Sequence, residues 1–171
     1  MPIDLIKKIL NRNKKQSTTV SSVIASLPED FEVFKDMLYN QNSIDYVVFG
    51  RGHGIFMLNL LHGKGDVTCD GKNLLMKRKI CSSIIRKSLQ DLFWLKSTIR
   101  ERIGVDAAIT PFVVCENARV KLDSHFAGIN VIESCSLRDA LVNPLKEKLP
   151  QGMLVLLREL YVGQNLGSPS I

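Results

Sequence analysis

Two neighbouring stretches of this chain hold the residues that chemistry would use. In VVFGRGHGIFMLNLLHGKGDV, Val47 to Val67, a glycine-rich turn joins two apolar runs, with Asn59, His62 and Lys64 in and just after the second; Asp45 stands two residues upstream in SIDYVVFG. A phosphate-cradling Walker loop needs GxxxxGK, then Ser or Thr, then a helix whose N-terminus faces the anion. GRGHG leads instead into another strand-like run, so its glycines read as a hairpin turn that uses positive φ, and the dinucleotide fingerprint fails for the same reason. The histidines are His53, His62 and His125. His53 and His62 flank one strand about 30 Å apart, at about 3.3 Å per residue, too far to share a metal through it. Cys69, Cys81, Cys115 and Cys135 contain no CxxC pair, so reduced thiols without a catalytic role are expected.

The elements that must position these residues follow from periodicity. Ile3, Ile6, Ile9 and Leu10 form the stripe of a short amphipathic helix, and a polar break follows. A second helix is expected over about 17–27, ending before Pro28. Three strands come next: FEVFKDML with Phe31 and Val33 alternating, SIDYVVFG, and GIFMLNLL, whose continuous apolarity argues for burial on both faces. GKGDVTCDGK begins a fourth, more exposed strand with a turn at Asp70-Gly71. A long helix over about 80–103 carries Ile84, Ile85, Leu89, Leu92, Leu95, Ile99 and Ile103 on its apolar face, and Gly104 ends it. ITPFVVCE and GINVIES read as further strands, SLRDAL as a Ser-capped short helix and LPQGMLVLLREL as a final helix. The strand–long helix–strand order predicts an α/β fold with a mixed, partly parallel sheet flanked by helices. The expected division is an N-terminal helix and linker (1–15), one α/β domain (16–162) and a tail (163–171).

At 171 residues and 45% apolar composition the chain can bury the core of one domain. No apolar run reaches the roughly 18–20 residues of a membrane span. The charged N-terminus does not resemble a secretory signal, so a cytoplasmic protein with no membrane partner is expected. The net charge is +6, clustered at 7–8, 14–15, 76–79 and 85–87. That pattern suits nucleic acid or another polyanion.

The order of apolar motifs resembles the nuclease-related domain (NERD) family of the restriction-endonuclease-like superfamily, over about residues 16–143. In that family a Gly-Glu-led helix runs into Leu-Pro and a strand, matched by VSSVIASLPEDFEVFKDM. An Ile-Asp-His-Val-Val strand follows, matched by Ile44-Asp45-Tyr46-Val47-Val48. Then comes Gly-Ile-Phe-Val-Ile-Glu-x-Lys and a glycine, matched by Gly54 to Leu61 and Gly65.

The resemblance implies a restriction-endonuclease-like core and a site where an Asp and a Glu hold a divalent metal, usually magnesium, while the Lys orients the attacking water. Here Asp45 is kept, Asn59 replaces the Glu, Leu61 replaces the Lys, and Gln16-Ser17 replace Gly-Glu. A neutral amide and a leucine make a poor magnesium site. The chain therefore reads as a nuclease-related domain with an overwritten site and no expected cofactor, serving as a binding module. DNA or RNA would be held by Lys64, Lys72, Arg78, Lys79, Arg86 and Lys87. Two alternatives stay open. One is a rearranged magnesium nuclease using Asp45, Glu32 or Asp36, and a migrated Lys64. The other is a protein-interaction module using the N-terminal helix and the apolar 153–160 segment.

Overall fold

The computed structural model describes residues 18–123, 125–143 and 149–164. The expected N-terminal helix, Ser17 and most of the expected tail lie outside them. Thr19 caps the first helix, α1 (Val20–Ala25), by accepting from the Ser22 amide at 3.2 Å. This helix is shorter than the apolar spacing suggested.

The chain then forms an antiparallel meander, β1 (Phe31–Tyr39), β2 (Asn42–Gly50) and β3 (Gly54–Cys69). Arg51 to His53 make the turn between β2 and β3, with Gly52 at φ 79°. A small hairpin of β4 (Leu74–Met76) and β5 (Lys79–Ile80) hangs from the end of β3. The long helix α2 (Ser83–Ile103) leads to β6 (Ile109–Val120), which runs parallel to β3. After it come β7 (His125–Phe126), β8 (Ile129–Glu133), α3 (Ser134–Val142) and α4 (Met153–Gly163). The sheet order is β1-β2-β3-β6-β8-β7. The expected mixed sheet flanked by helices is therefore present, with β2, β3 and β6 adjacent.

Burial explains the layers. Phe34, Ile44, Val47, Ile55 and Met57 pack beneath Leu95 and Ile99 of α2 and Leu156 and Leu157 of α4. On the other face, Tyr46, Val48, Phe56, Leu58, Phe112 and Val114 meet Val20 and Val23 of α1 and Leu137 and Leu141 of α3. Residues Gly54 to Asn59 are all buried, which explains the unbroken apolar run.

Four local expectations are corrected. GKGDVTC is not a separate strand but the continuation of β3, carried past a register shift between Leu61 and Lys64. Gly63 (φ 134°) and Gly65 (φ 117°) make this possible: a Cβ on the first would meet Met76 Sδ at 2.5 Å, and on the second Lys77 Cγ at 2.6 Å. The alternation of β1 breaks at Asp36, where φ is +53°, and Phe34 and Met37 consequently join one core layer. Residues Lys79 and Ile80 form β5 rather than the start of the long helix. The helix around SLRDAL begins at Ser134, with Glu133 at its N-cap and no side-chain cap bond.

The outer edge of β1 is occupied locally. The Leu38 amide donates to Gln164 Oε1 at 2.8 Å, beside the break at Asp36.

Candidate functional site

Asn59 sits at the centre of the sheet and is fully buried beneath α2. Its amide nitrogen donates to Asp91 Oδ2 at 2.8 Å and to Ser88 Oγ at 3.1 Å. Its amide oxygen accepts from Lys87 Nζ at 2.8 Å. Lys87 Nζ also donates to Asp91 Oδ2 at 2.6 Å and to the Ser43 carbonyl at 2.5 Å. Tyr39 closes the network by donating its hydroxyl to Asp91 Oδ1 at 2.5 Å. Burial first, and then the Asp91 carboxylate, push the Tyr39 hydroxyl well above its usual pKa. Both Asp91 oxygens thus have donors, the condition for keeping a carboxylate in the interior.

Helix α2 delivers this network because its buried stripe differs from the one its apolar residues outline. Ile85, Ser88, Asp91, Leu95 and Ile99 point inward, whereas Leu89 is 43% exposed. The roles of Ser88 and Asp91 were not visible in the sequence. The available signal was the Lys87–Asp91 pair at i,i+4 beside a serine, which reads equally well as a solvated helix face.

Asp45 has a different task. The β2–β3 ladder runs from Gly50–Gly54 to Tyr46–Leu58, and beyond it Asp45 Oδ2 accepts the Leu60 amide at 2.7 Å. The carboxylate thus stands in for a main-chain acceptor where the ladder stops. Leu61 packs in an apolar cluster with Val67, Leu74, Ile85 and Cys115. Among the described residues, no three His, Cys, Asp or Glu side chains form a group able to hold a metal ion. The donor set around Asn59 does not fit magnesium either. The Asn59 amide oxygen, Asp91 Oδ2 and the Ser43 carbonyl oxygen surround an ammonium supplied by the chain itself.

The other carboxylates invoked for a rearranged nuclease do not gather with Asp45 into a group of three able to hold a metal ion among the described residues. Glu32 lies opposite Phe49 in the β1–β2 register and pairs with Arg158 of α4 through two bonds of 2.7 and 2.6 Å. That hydrogen-bonded guanidinium lowers the Glu32 pKa below its usual range. Asp36 is exposed, between the register pairs Lys35–Tyr46 and Met37–Ile44 and so opposite Asp45. His62 and Lys64 are exposed beyond the buried part of β3. His53 is structural: its Nδ1 lies 3.0 Å from the Val142 carbonyl, its Nε2 lies 3.0 Å from Asp30 Oδ2, and its ring stacks on Phe31.

Five of the expected cationic contacts, Lys64, Lys72, Arg78, Lys79 and Arg86, are exposed on the end of β3, its hairpin and the start of α2. None makes an ion pair among the described residues. The carboxylates beside them are engaged elsewhere. Asp66 pairs with Lys121 at 2.9 Å, and Asp70 accepts the Lys72 and Asn73 amides. Lys87 belongs to the buried network rather than to this outward group.

The chain matches no family model, no curated protein and no solved structure.

Proposed function

We propose that this chain is a catalytically silent nuclease-related domain that binds nucleic acid through the basic β3–β5 and α2 surface. Its principal support is the contrast between the two groups of cations. Lys87 is bound inside the Asn59–Asp91 network, while Lys64, Lys72, Arg78, Lys79 and Arg86 face solvent without carboxylate partners.

The loss of catalysis is argued from the same strand. The position that the family resemblance assigns to a metal-binding Glu holds Asn59, whose oxygen accepts from an ammonium. The position assigned to the Lys holds Leu61 in an apolar cluster. Asp45 supports the strand through the Leu60 amide. These residues support the fold, and neither the Asn59 amide nor the Leu61 side chain can take a proton from an attacking water.

Such binding is electrostatic and sequence-tolerant, because lysines and arginines recognise backbone phosphate. Fluorescence anisotropy with labelled duplex DNA, single-stranded DNA and RNA tests it. The logarithm of affinity should fall linearly with the logarithm of salt concentration, with a slope of about −0.9 per duplex phosphate neutralised. Absence of binding to all three at micromolar protein would refute the reading. A protein-interaction role then leads, drawing on Val155 and Val162, which are 55% and 53% exposed on α4.

A further inference from the structure

A groove of about 480 Å³ runs between the β1–β2 turn and the outer face of α2. It adjoins the buried network and shares Tyr39 with it. Trp94 forms one wall and stacks on Tyr39 with ring centroids 4.3 Å apart and planes 14° from parallel. Tyr39 is in turn anchored through its hydroxyl to Asp91 at 2.5 Å. The wall is therefore fixed to the sheet and to α2 at once.

Phe93 lines the same groove and is 75% exposed. Leaving so much aromatic surface in water is unfavourable unless a partner covers it. Asn40, Asn42 and Gln90, three amide-bearing residues, also line the groove. The Asn42 amide has only a long bond to the Asn40 carbonyl, at 3.4 Å. A flat aromatic surface bordered by amides suits a planar heterocycle with hydrogen-bonding edges.

The groove is continuous with the basic surface. Arg86, Gln90 and Phe93 fall at i, i+4 and i+7 on α2 and so share one side of the helix. Arg86 is also one of the unpaired cations described above. Lys96 adds an exposed positive charge one turn after Phe93. Glu101, at the far end, disfavours phosphate there and can accept a hydrogen bond from a sugar hydroxyl or a base amino group.

We infer that this groove takes an unpaired base of a single-stranded nucleic acid, stacked on Phe93, with the preceding phosphates on Arg86 and the β4–β5 hairpin. This inference rests on the nucleic-acid reading above and makes it specific: the preferred ligand is single-stranded. A duplex keeps its bases stacked within itself and gains only the phosphate contacts.

Trp94 is the sole tryptophan of the chain, so its fluorescence reports directly on the groove. The full chain is titrated with a short oligothymidylate, an abasic strand of equal length and a duplex. Oligothymidylate should quench Trp94, and the abasic strand and duplex should not. Phe93→Ala should weaken oligothymidylate binding about tenfold, within the range of a single stacked base, without changing duplex affinity. Phe93→Trp should retain the single-strand preference. Circular dichroism checks that each variant is folded.

Unchanged oligothymidylate affinity in a folded Phe93→Ala variant would overturn the groove assignment, as would equal binding of the abasic strand. If Arg78→Glu with Arg86→Glu still abolished binding in that case, the nucleic-acid reading would survive without the groove. Failure of the wild-type chain to bind any of the three ligands would overturn both.

Discussion

Lys87 Nζ and Asp91 Oδ2 lie 2.6 Å apart on successive turns of one helix, with the carboxylate fully buried and the lysine side chain 36% exposed. The pair joins α2 to the centre of the sheet through Asn59 and to the β1–β2 hairpin through Tyr39 and Ser43.

Asp91→Ala should therefore destabilise the fold by about 3–5 kcal/mol, because it leaves Lys87 and Asn59 without their shared acceptor. Urea unfolding measures this. Lys87→Met combined with Asp91→Leu should recover only part of the loss, since it removes the uncompensated charge but leaves the Asn59 amide and the Tyr39 hydroxyl without their Asp91 acceptor.

Introducing a carboxylate at position 59 should not create a nuclease. Asn59→Glu places a second acid against Asp91 and should destabilise the domain, with no magnesium- or manganese-stimulated cleavage of plasmid or single-stranded DNA. The wild-type chain should also give no cleavage above background. Cleavage that survives purification and disappears in Asp45→Ala would reverse this conclusion. Asp45→Ala itself should cost about 1–3 kcal/mol through the lost acceptor for the Leu60 amide, and should leave nucleic-acid binding intact.

The cations divide into two classes under charge reversal. Arg78→Glu, Lys79→Glu and Arg86→Glu should lower nucleic-acid affinity and flatten its salt dependence, while changing stability by no more than about 0.5 kcal/mol each. Lys87→Glu should instead lower the melting temperature, because it sets a carboxylate against Asp91.

Thiol accessibility checks the packing independently. Cys69 and Cys135 are exposed and should react readily with a thiol reagent near pH 8. Cys115 is buried, and burial pushes its thiol up to about 12, so it should be protected until the domain unfolds. Cys81, partly buried and also raised in pKa by burial, should react at an intermediate rate.

The Glu32–Arg158 pair supplies a pH dependence of definite sign. The folded state lowers the Glu32 pKa from its ordinary value of 4.5. Its contribution is present above that value and is lost as pH falls through the lowered one. The stability difference between wild type and Glu32→Gln should therefore shrink across that acid interval and be constant at neutral pH. Urea midpoints at a series of pH values measure it.

The order of the main elements was legible because each carries a strong period or an unbroken apolar run: the continuous apolarity of GIFMLNLL points to a strand buried on both faces, and Leu95 and Ile99 mark a helix face. The orientation of α2 was not legible. An apolar pattern that includes Leu89 competes with one that includes Ser88 and Asp91, and only the sheet beneath decides between them. Asn59 stands out in the sequence as a polar residue in an apolar run, but its partners are 28 to 32 residues away. Local spacing carries no trace of such pairing. The turn at Lys77-Arg78 was equally hidden: both residues have positive φ, a conformation that sequence normally signals with Gly or Asn.

The capped edge of β1 has a consequence for how copies of this chain meet. A sheet grows by offering unpaired amides to an incoming strand, and the Gln164 side chain already occupies the Leu38 position. The left-handed residue at Asp36 interrupts the flat stretch on which a new strand would register. A strand of another copy is thereby denied the Leu38 amide and a flat register across Asp36 along this part of the β1 edge.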